Sequence, residues 1–394
     1  MVFRADVEDV EKRLGFSLPP HRMDFEHRRT DFGIGIIGLH WVMLIMHLPA
    51  YRAARFRVVA AAEVDEGQIA QTRRKGFEVG RILDDWPEIF GLDEVEVVDC
   101  TFGHGREKER RRLEVVKAAA EAGKHLMIHK PVAVTLSLAE EMERVAEEGG
   151  IWLAVNQNCR YNPANYSIKG LLTPERLGRP GLIEVQNYWK GSPADREDPA
   201  PAWVAHVIHH ADLIRWWVGR PCVSVFSETG MRSNVTIYEF DDGTVAYHME
   251  NHSGVEAHET YARVMAEKGI IRAGHNWNWH FPSSRGRDFV EVFTDPSGPG
   301  VQLPLPEHIY EPVWSDINPF TPHSGPYYDL AAPVAGMMGT MGALMHGVER
   351  NQPPDNHISG AIESLRMCLA AQISGETGRP VDPRQVPSDT VADR

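Results

Sequence analysis

From Asp31 onward, short apolar runs alternate with segments of helical periodicity. The apolar runs predict strands at Phe32–Ile37, Arg57–Val64, Val95–Thr101, the end of Ala119–Ile128 and Ile151–Asn156. Helical patterns lie between them, among them Leu113–Ala122 and Leu138–Glu148. Strands and helices that alternate at these lengths are typical of a doubly wound parallel sheet. The first part of the chain is therefore predicted to be an α/β domain.

Near Gly181 the pattern changes to strands separated by turns. These strands are predicted at Leu182–Trp189, Val223–Ser227, Asn234–Phe240, Thr244–Asn251, Tyr261–Glu267 and Phe289–Thr294. Helices are predicted at Val204–Trp217, Tyr328–Glu349 and Ile358–Thr377. This order indicates an α+β domain with a mostly antiparallel sheet.

These patterns divide the chain into four parts. We expect an N-terminal arm at 1–30 outside the core, the α/β domain at 31–157, the α+β domain at 158–382 and a tail at 383–394. The last two helices are expected to pack back near the first domain. The chain after Arg379 is polar, so we expect it to be mobile.

Composition limits the kinds of partner that the protein is expected to bind and the cell compartment in which it is expected to work. The 394 residues carry a net charge of −14, which disfavours nucleic acid and anionic membranes as partners. No apolar run reaches the ~20 residues that span a bilayer, and the N-terminus lacks a signal-peptide pattern. The four cysteines form no CxxC pair, which favours reduced, buried thiols in a cytoplasmic protein.

A glycine-rich segment follows the first predicted strand. Gly33–Gly38 matches GxGxxG, but its first two glycines fall inside the strand, and the turn proper is Gly38–Met43. In that register His40 and Met43 replace the second and third glycines of a phosphate-binding turn. An imidazole at this position adds bulk, or it donates a hydrogen bond to a phosphate. The turn residues expected to contact a dinucleotide are Gly38, His40, Trp41 and Val42.

An acidic residue follows the second predicted strand. Glu63 lies 25 residues beyond Gly38, near the spacing at which an acid binds the adenosine ribose. A carboxylate there favours NAD over NADP because it repels the 2′-phosphate of NADP. The alternative is a solvated carboxylate at a strand end.

A lysine ends the fourth predicted strand. The apolar run Leu126–Ile128 is followed by His129-Lys130-Pro131, in which the proline favours an extended Lys130. Ligands of open α/β sheets bind at the carboxyl ends of the strands. Lys130 is therefore a candidate for the active site, although a surface lysine is the simpler interpretation of this position alone.

Several segments together resemble the Gfo/Idh/MocA family of glucose-fructose oxidoreductases and inositol dehydrogenases. His129-Lys130-Pro131 is similar to the family's Glu-Lys-Pro motif, and 47–51 (His-Leu-Pro-Ala-Tyr) to the segment after its phosphate turn. The segment 158–163 resembles its Arg-x-x-Pro motif, and 209–219 resembles its His-x-x-Asp-x-x-Arg-Trp helix. With the similar C-terminal helix at 358–381, the resemblance covers about residues 31–382.

The resemblance implies a Rossmann domain followed by an α+β domain whose large, mostly antiparallel open sheet covers the active site and mediates oligomer contacts. It implies an NAD(P)-dependent oxidoreductase acting on a sugar, a polyol or a related hydroxyl compound, with Lys130 and His209 as the catalytic pair. The family's aspartate four residues before the histidine is Ala205 here, and the motif glutamate is His129. The family's Thr-Pro-Asn segment is replaced by 101–104 (Thr-Phe-Gly-His). Further cofactor contacts are expected at Thr101, His104, His129, Lys130 and Asn158.

The side chains suit alcohol oxidation. A histidine titrates near neutrality and is suited to accept the hydroxyl proton, which makes His209 the candidate base. Lys130 is expected to orient the reacting oxygen or hold the nicotinamide ribose, and its charge would stabilise a developing alkoxide. Substrate contacts or supporting hydrogen bonds are expected at Arg160, Tyr161, Asn162, Trp189, His206, His210 and Asp212.

Two other features have simpler interpretations. The spacing of His206, His209 and His210 permits a shared metal, but no HExxH accompanies it, so no metal is predicted. The charged run Arg106–Arg112 is expected to be a solvated helix start.

These observations favour a dehydrogenase that transfers a hydride between NAD, less favourably NADP, and a secondary hydroxyl of a sugar, polyol or glycoside. One alternative is a glycoside hydrolase or lyase that recycles bound NAD. Another is a non-catalytic sugar-sensing or structural homologue, because His40, Met43, His129 and Ala205 depart from the family pattern. A homodimer or homotetramer formed through the C-terminal sheet is expected.

Overall fold

The computed structural model describes most of the chain. The described residues are 4–19, 29, 31–40, 42–62, 65–102, 106–188, 199–229, 233–251, 259–276, 289–295, 297–305, 313–314, 326–327 and 331–392. Four residues with predicted roles lie outside these ranges: Trp41, Glu63, His104 and Trp189.

The first domain is built on a six-stranded parallel sheet, as predicted. Its strands are β1 (Gly33–Ile37), β2 (Arg57–Ala62), β3 (Arg81–Leu83), β4 (Val97–Cys100), β5 (His125–His129) and β6 (Leu153–Asn156). Their order is β3-β2-β1-β4-β5-β6, which reverses direction between β1 and β4. In such sheets a ligand crevice opens at that reversal, beyond the carboxyl ends of the strands. The short edge strand β3 was not predicted.

Both faces of this sheet are buried, which explains the continuous apolar runs. Ile34 and Ile36 of β1 face one cluster, whereas Ile37 faces the other. The helices of this domain are α2 (Leu48–Ala54), α3 (Glu66–Arg74), α4 (Arg106–Ala122) and α5 (Leu136–Glu148). A π-helical turn at Met43–His47 leads into α2.

The second domain contains an eight-stranded, mostly antiparallel sheet, also as predicted. Its strands are β7 (Pro180–Tyr188), β8 (Cys222–Thr229), β9 (Ser233–Phe240), β10 (Val245–Asn251), β11 (Glu259–Ala266), β12 (Gly269–Asn276), β13 (Phe289–Phe293) and β14 (Val301–Gln302). The order is β14-β13-β12-β11-β7-β10-β9-β8, and only the β7–β10 pair is parallel. Strand β12 was missed because its two glycines weaken the strand signal. A separate two-stranded sheet pairs β15 (Val313–Trp314) with β16 (Pro326–Tyr327).

Three helices contact the large sheet, α6 (Pro163–Leu171), α7 (Pro199–Val218) and a C-terminal helix at Ile358–Thr377. Helix α8 (Ala331–Arg350) precedes that C-terminal helix, which we label α9. Helix α8 contacts β6, and α9 contacts both α5 and β8, so the last helices pack against the first domain. None of the helices in the described part of the chain has the length and apolar character needed to cross a bilayer.

Both chain ends are more closely attached than expected. Helix α1 (Arg4–Leu14) buries Val10 and Leu14 in the main apolar cluster, so the N-terminal arm is partly core. The expectation of a mobile tail is wrong. Ala392 is buried, and its amide donates to the carbonyl of Val134. The tail is held because its residues pack against the start of α5.

Helix α4 holds the loop that follows β5. Arg112 is fully buried and donates to the carbonyl oxygens of Phe102, Pro131 and Val132. Glu109, also buried, accepts from the amides of Val134 (2.7 Å) and Thr135 (3.2 Å).

The expectation of a solvated helix start is therefore wrong for two residues of the charged run. Glu109 and Arg112 are three residues apart, so both lie on the face of α4 that also buries Leu113 and Val116. Burial lowers the pKa of Arg112 to about 10, which still leaves the guanidinium charged at neutral pH. This pair fixes the backbone that carries Lys130.

Replacing Arg112 should destabilise the protein, whereas replacing its exposed neighbour should not. Arg112→Met leaves three buried carbonyls without their donor and should lower the free energy of unfolding by about 2–4 kcal/mol. Arg110→Met, on the exposed face of the same helix, should change it by less than about 0.5 kcal/mol. Denaturant unfolding of the two variants measures the difference, and equal values would contradict the role given to Arg112.

Candidate active site

A glycine turn closes the end of β1 at the point where the strand order reverses. Gly38 has φ +88°, a conformation that glycine adopts without strain. A Cβ there would lie 3.2 Å from Thr101 Oγ1. The Thr101 hydroxyl is 2.9 Å from the carbonyl oxygen of Gly38, so it ties the ends of β1 and β4 together. The predicted cofactor residues Gly38 and Thr101 thus meet at the crevice.

His40 is turned toward this junction. Its Nε2 makes a short hydrogen bond to the carbonyl oxygen of Thr101, and burial lowers its pKa. A neutral imidazole whose Nε2–H donates to this carbonyl has no second N–H for a phosphate. His40 therefore closes the turn rather than offering the phosphate donor considered from the sequence. Val42, the next described residue with a predicted role, is buried at the start of the helical segment.

The strand β5 delivers His129 and Lys130 to the same edge of the sheet. Both side chains are half-buried, and the Lys130–Pro131 peptide is cis. Burial and the charge of Lys130 place the pKa of His129 well below its usual value. Its Nδ1 is buried and makes no hydrogen bond with any described residue.

A buried polar network lies beside His129. His47 Nδ1 is 2.7 Å from Asp99 Oδ2, which also accepts from the Tyr51 hydroxyl at 2.5 Å. The Asn156 amide nitrogen lies 3.2 Å from His47 Nε2. Burial and the Asp99 carboxylate raise the pKa of Tyr51 well above its usual value. The network fixes α2 against β4 and β6.

Helix α7 brings His209 to Lys130 from the second domain. The His209 Nδ1 lies 3.2 Å from the Sγ of Cys159, which belongs to the 3-10 turn Asn158–Tyr161 after β6. Burial, and then the charge of Lys130, hold the pKa of His209 well below its usual value. The charge of Lys130 also acts on the Cys159 thiol. The amine and the imidazole thus come from separate domains and lie close together.

Arg160 and Asp212 form a buried ion pair next to that contact. Arg160 follows Cys159 in the sequence, and Asp212 lies about one helical turn after His209. Arg160 Nε and Nη2 donate to the two Asp212 carboxylate oxygens at 2.6 and 2.5 Å. Asp212 also accepts from the Ser364 hydroxyl at 2.8 Å. Arg160 and Asp212 are each 1% exposed, and their polar atoms bond to each other.

Tyr161 and Asn162 are also used inside the protein. The Tyr161 hydroxyl donates to Asp355 at 3.0 Å, and its ring stacks on Tyr166. Tyr161 is 2% exposed. Asn162 accepts from the amide of Ala164 and caps the start of α6. Both residues shape the turn that presents Cys159.

The remaining predicted residues lie on α7 and on the turn that follows β6. His206 is half-buried and lies one turn before His209 and His210 on α7. His210 is buried against His248 of β10. Asn158, 4% exposed, begins the turn that carries Cys159.

Several residues of this region were missed from the sequence. They are Glu109, Arg112, Asp99, Asp355, Cys159, His248 and Glu250. Asp99 carried a usable signal, because a carboxylate within the apolar strand Val97–Cys100 needs a buried partner. Asp355 carried none, since it lies in a loop between two helices.

Two features of the crevice suit a bound dinucleotide. The turn at Gly38 has space that a Cβ would reduce, and it lies at the reversal of strand order where dinucleotides bind. The orphaned His129 Nδ1 offers a polar atom at the same edge of the sheet. Gly38, Thr101, His129 and Lys130 are therefore the described residues that would hold it.

Comparisons with known proteins agree with this geometry. Residues 32–157 match the model of the Gfo/Idh/MocA oxidoreductase family, NAD-binding Rossmann fold. The scyllo-inositol 2-dehydrogenase (NAD(+)) of Bacillus subtilis is 23% identical over 293 residues, which cover 68% of this chain and 80% of that protein. The 1,5-anhydro-D-fructose reductase of Ensifer adhaerens is 25% identical over 249 residues, covering 60% and 71%.

Solved structures extend the similarity to the whole fold. An oxidoreductase from Agrobacterium radiobacter, solved with NAD+, L-tartaric acid and magnesium, superposes with a TM-score of 0.70. It is 16% identical, and the match covers 91% of this chain and 100% of that one. The match to an NAD-binding oxidoreductase domain confirms the predicted enzyme class and cofactor and disfavours the non-catalytic alternative. The family that the motifs predicted is confirmed for the Rossmann domain, because residues 32–157 match the Gfo/Idh/MocA oxidoreductase model.

Proposed function

We propose that this protein is an NAD-dependent dehydrogenase that oxidises a secondary hydroxyl of a sugar or polyol, or reduces the corresponding ketone. The observation that carries the proposal is that Lys130, after β5, lies close enough to His209 of α7 for its charge to lower the pKa of the imidazole. Relatives named as inositol dehydrogenase and anhydrofructose reductase support the substrate class.

The cofactor site uses the turn and the strand ends. Gly38 and Thr101 would hold the phosphate end of NAD, and His129 and Lys130 would hold the nicotinamide end. NAD, when bound, accepts or returns the hydride; the protein supplies position and a path for the proton.

His209 would take the hydroxyl proton on Nε2. Its Nδ1 faces the Cys159 sulfur, so the tautomer with hydrogen on Nδ1 leaves the Nε2 lone pair for the substrate. Lys130 would hold the reacting oxygen and stabilise negative charge that develops on it. The Arg160–Asp212 pair keeps α7 in the position that this transfer needs.

We also propose that the chain works in a reducing compartment, the cytoplasm. All four cysteines, Cys100, Cys159, Cys222 and Cys368, are buried free thiols.

Substitution of the turn glycine should weaken NAD binding. In Gly38→Ala the new Cβ crowds Thr101 at the base of the crevice, so the Kd for NAD should rise at least about tenfold. Gly76→Ala is the matched control, because Gly76 also has positive φ but a Cβ added to it would meet nothing within 4 Å. Calorimetric titration should show normal NAD affinity in the control. Equal affinity in all three proteins would contradict the assignment of this turn.

Substitution of either proposed catalytic residue should remove turnover and spare the fold. Lys130→Met and His209→Gln should each lower kcat by about 10²–10⁴-fold. NAD affinity of His209→Gln should stay within a few-fold of the parent, since His209 belongs to the other domain. Assays follow NADH formation with a panel of inositols, aldoses and glycosides, and thermal unfolding checks the fold.

The assay also separates the competing activities. Full turnover in His209→Gln would remove this residue from the catalytic role. Glycoside cleavage without net NADH formation would replace the dehydrogenase proposal with the NAD-recycling alternative.

We propose that the outer face of the large sheet joins two copies of the chain. Val235 and Ile237 of β9 and Tyr261 of β11 are large apolar side chains exposed by 38%, 38% and 41%. A second copy would bury this face through the same residues on both sides.

A charge on this face should separate the copies. Ile237→Lys should convert the oligomer to a monomer in light scattering, because an ammonium would be buried at the contact. Glu121→Lys, at an exposed position of α4 in the first domain, is the control, and its effect should be small. A monomeric parent protein would refute the oligomer proposal.

A further inference from the structure

A compact polar cluster lies between α7 and the large sheet. It consists of His210 of α7 with His248 and Glu250 of β10, and we call it the His210 cluster. All three side chains are buried, with exposures of 4%, 1% and 1%. His248 and Glu250 are two residues apart on β10, so both face α7.

The spacing of the cluster is that of ligands around an ion. His210 Nδ1 and His248 Nε2 each lie 3.6 Å from Glu250 Oε1, and the three ligand atoms are all within 4.8 Å of one another. A distance of 3.6 Å is too long for a hydrogen bond. It is close to the roughly 3.4 Å that separates two ligands bonded at about 2.0–2.1 Å to one tetrahedral ion.

His210 itself is oriented toward this point. Its Nδ1 is buried and makes no hydrogen bond with any residue of the described ranges. Its ring centroid lies 4.6 Å from that of His248, and a nitrogen of each ring lies 3.6 Å from the same oxygen of Glu250. Buried polar nitrogens are rarely left without a hydrogen bond or a metal.

A second layer of hydrogen bonds orients the carboxylate. Asn187 of β7 donates to Glu250 Oε1 at 3.2 Å and accepts from the Thr260 hydroxyl of β11 at 3.1 Å. Glu250 and Asn187 are direct neighbours in the parallel pair of β10 with β7. Ligating carboxylates are held in this way in metal sites.

We propose that His210 Nδ1, His248 Nε2 and a Glu250 carboxylate oxygen bind one divalent cation of the zinc class. Two imidazoles and one carboxylate suit zinc, whereas magnesium and calcium prefer oxygen ligands. Three protein ligands leave a fourth position for water. The ion would link α7 to β10 and so fix the helix on which His209 stands. This site is independent of the proposed dehydrogenase activity.

Direct binding tests the proposal. Tag-free protein is treated with a chelator, dialysed and titrated with Zn²⁺ by calorimetry and with Co²⁺ by visible absorption. One equivalent of each should bind. Cobalt should give the d–d bands of a four-coordinate site without a thiolate charge-transfer band, because no cysteine belongs to the cluster. The absence of stoichiometric binding, or a thiolate band, would overturn the proposal.

Variants locate the ion. Glu250→Gln and His248→Gln should each weaken Zn²⁺ binding at least about 100-fold, and Zn²⁺ should no longer raise their Tm as it raises that of the parent. His209→Gln is the matched control, since it removes the adjacent imidazole on the same helix and should keep the Zn²⁺ affinity. If Glu250→Gln does not fold, His248→Gln still decides the point. Unchanged binding in the folded variant or variants would refute the site.

Discussion

The buried ion pair between Arg160 and Asp212 holds the turn that follows β6 against α7, close to the candidate catalytic residue His209. Arg160 follows Cys159 on the turn after β6, and Asp212 follows His209 by about one turn of α7. The pair and the Cys159–His209 contact therefore align the same two elements. A buried pair contributes little net stability, although breaking it costs about 3–5 kcal/mol. Its geometric effect, the register of α7 against β6, is what the site depends on.

The other side of the crevice is fixed by a different set of charges. Glu109 and Arg112 of α4 bind the backbone after β5 and so place Lys130. Each half of the candidate site thus has a buried pair of charged residues that supports it. The low pKa of His209 follows from burial beside that lysine. Such shifts are typical of catalytic sites, because a desolvated group near a like charge resists protonation.

The departures from the family pattern have physical explanations in this structure. His40 replaces a glycine, but its imidazole is bonded to the Thr101 carbonyl at the inner side of the turn. His129 replaces a glutamate, and its neighbour His47 belongs to the network with Asp99. A glutamate at this position would add a second buried carboxylate beside Asp99, whereas a neutral imidazole does not. A histidine at position 129 thus avoids placing a second negative charge beside Asp99.

The sequence by itself determined the two domains, the parallel and antiparallel sheets, and the two residues proposed for catalysis. Apolar periodicity reports which face of each element is buried, and Lys130 and His209 stand in motifs with a defined order along the chain. Only the tertiary structure decided that Arg160 and Asp212 pair with each other, that Glu109 and Arg112 turn inward, and that His210 meets His248 and Glu250. The physical reason is that a polar residue's partner is set by packing between elements distant in sequence. The apolar periodicity of an element shows which of its residues are buried. It does not show which residues of another element they contact.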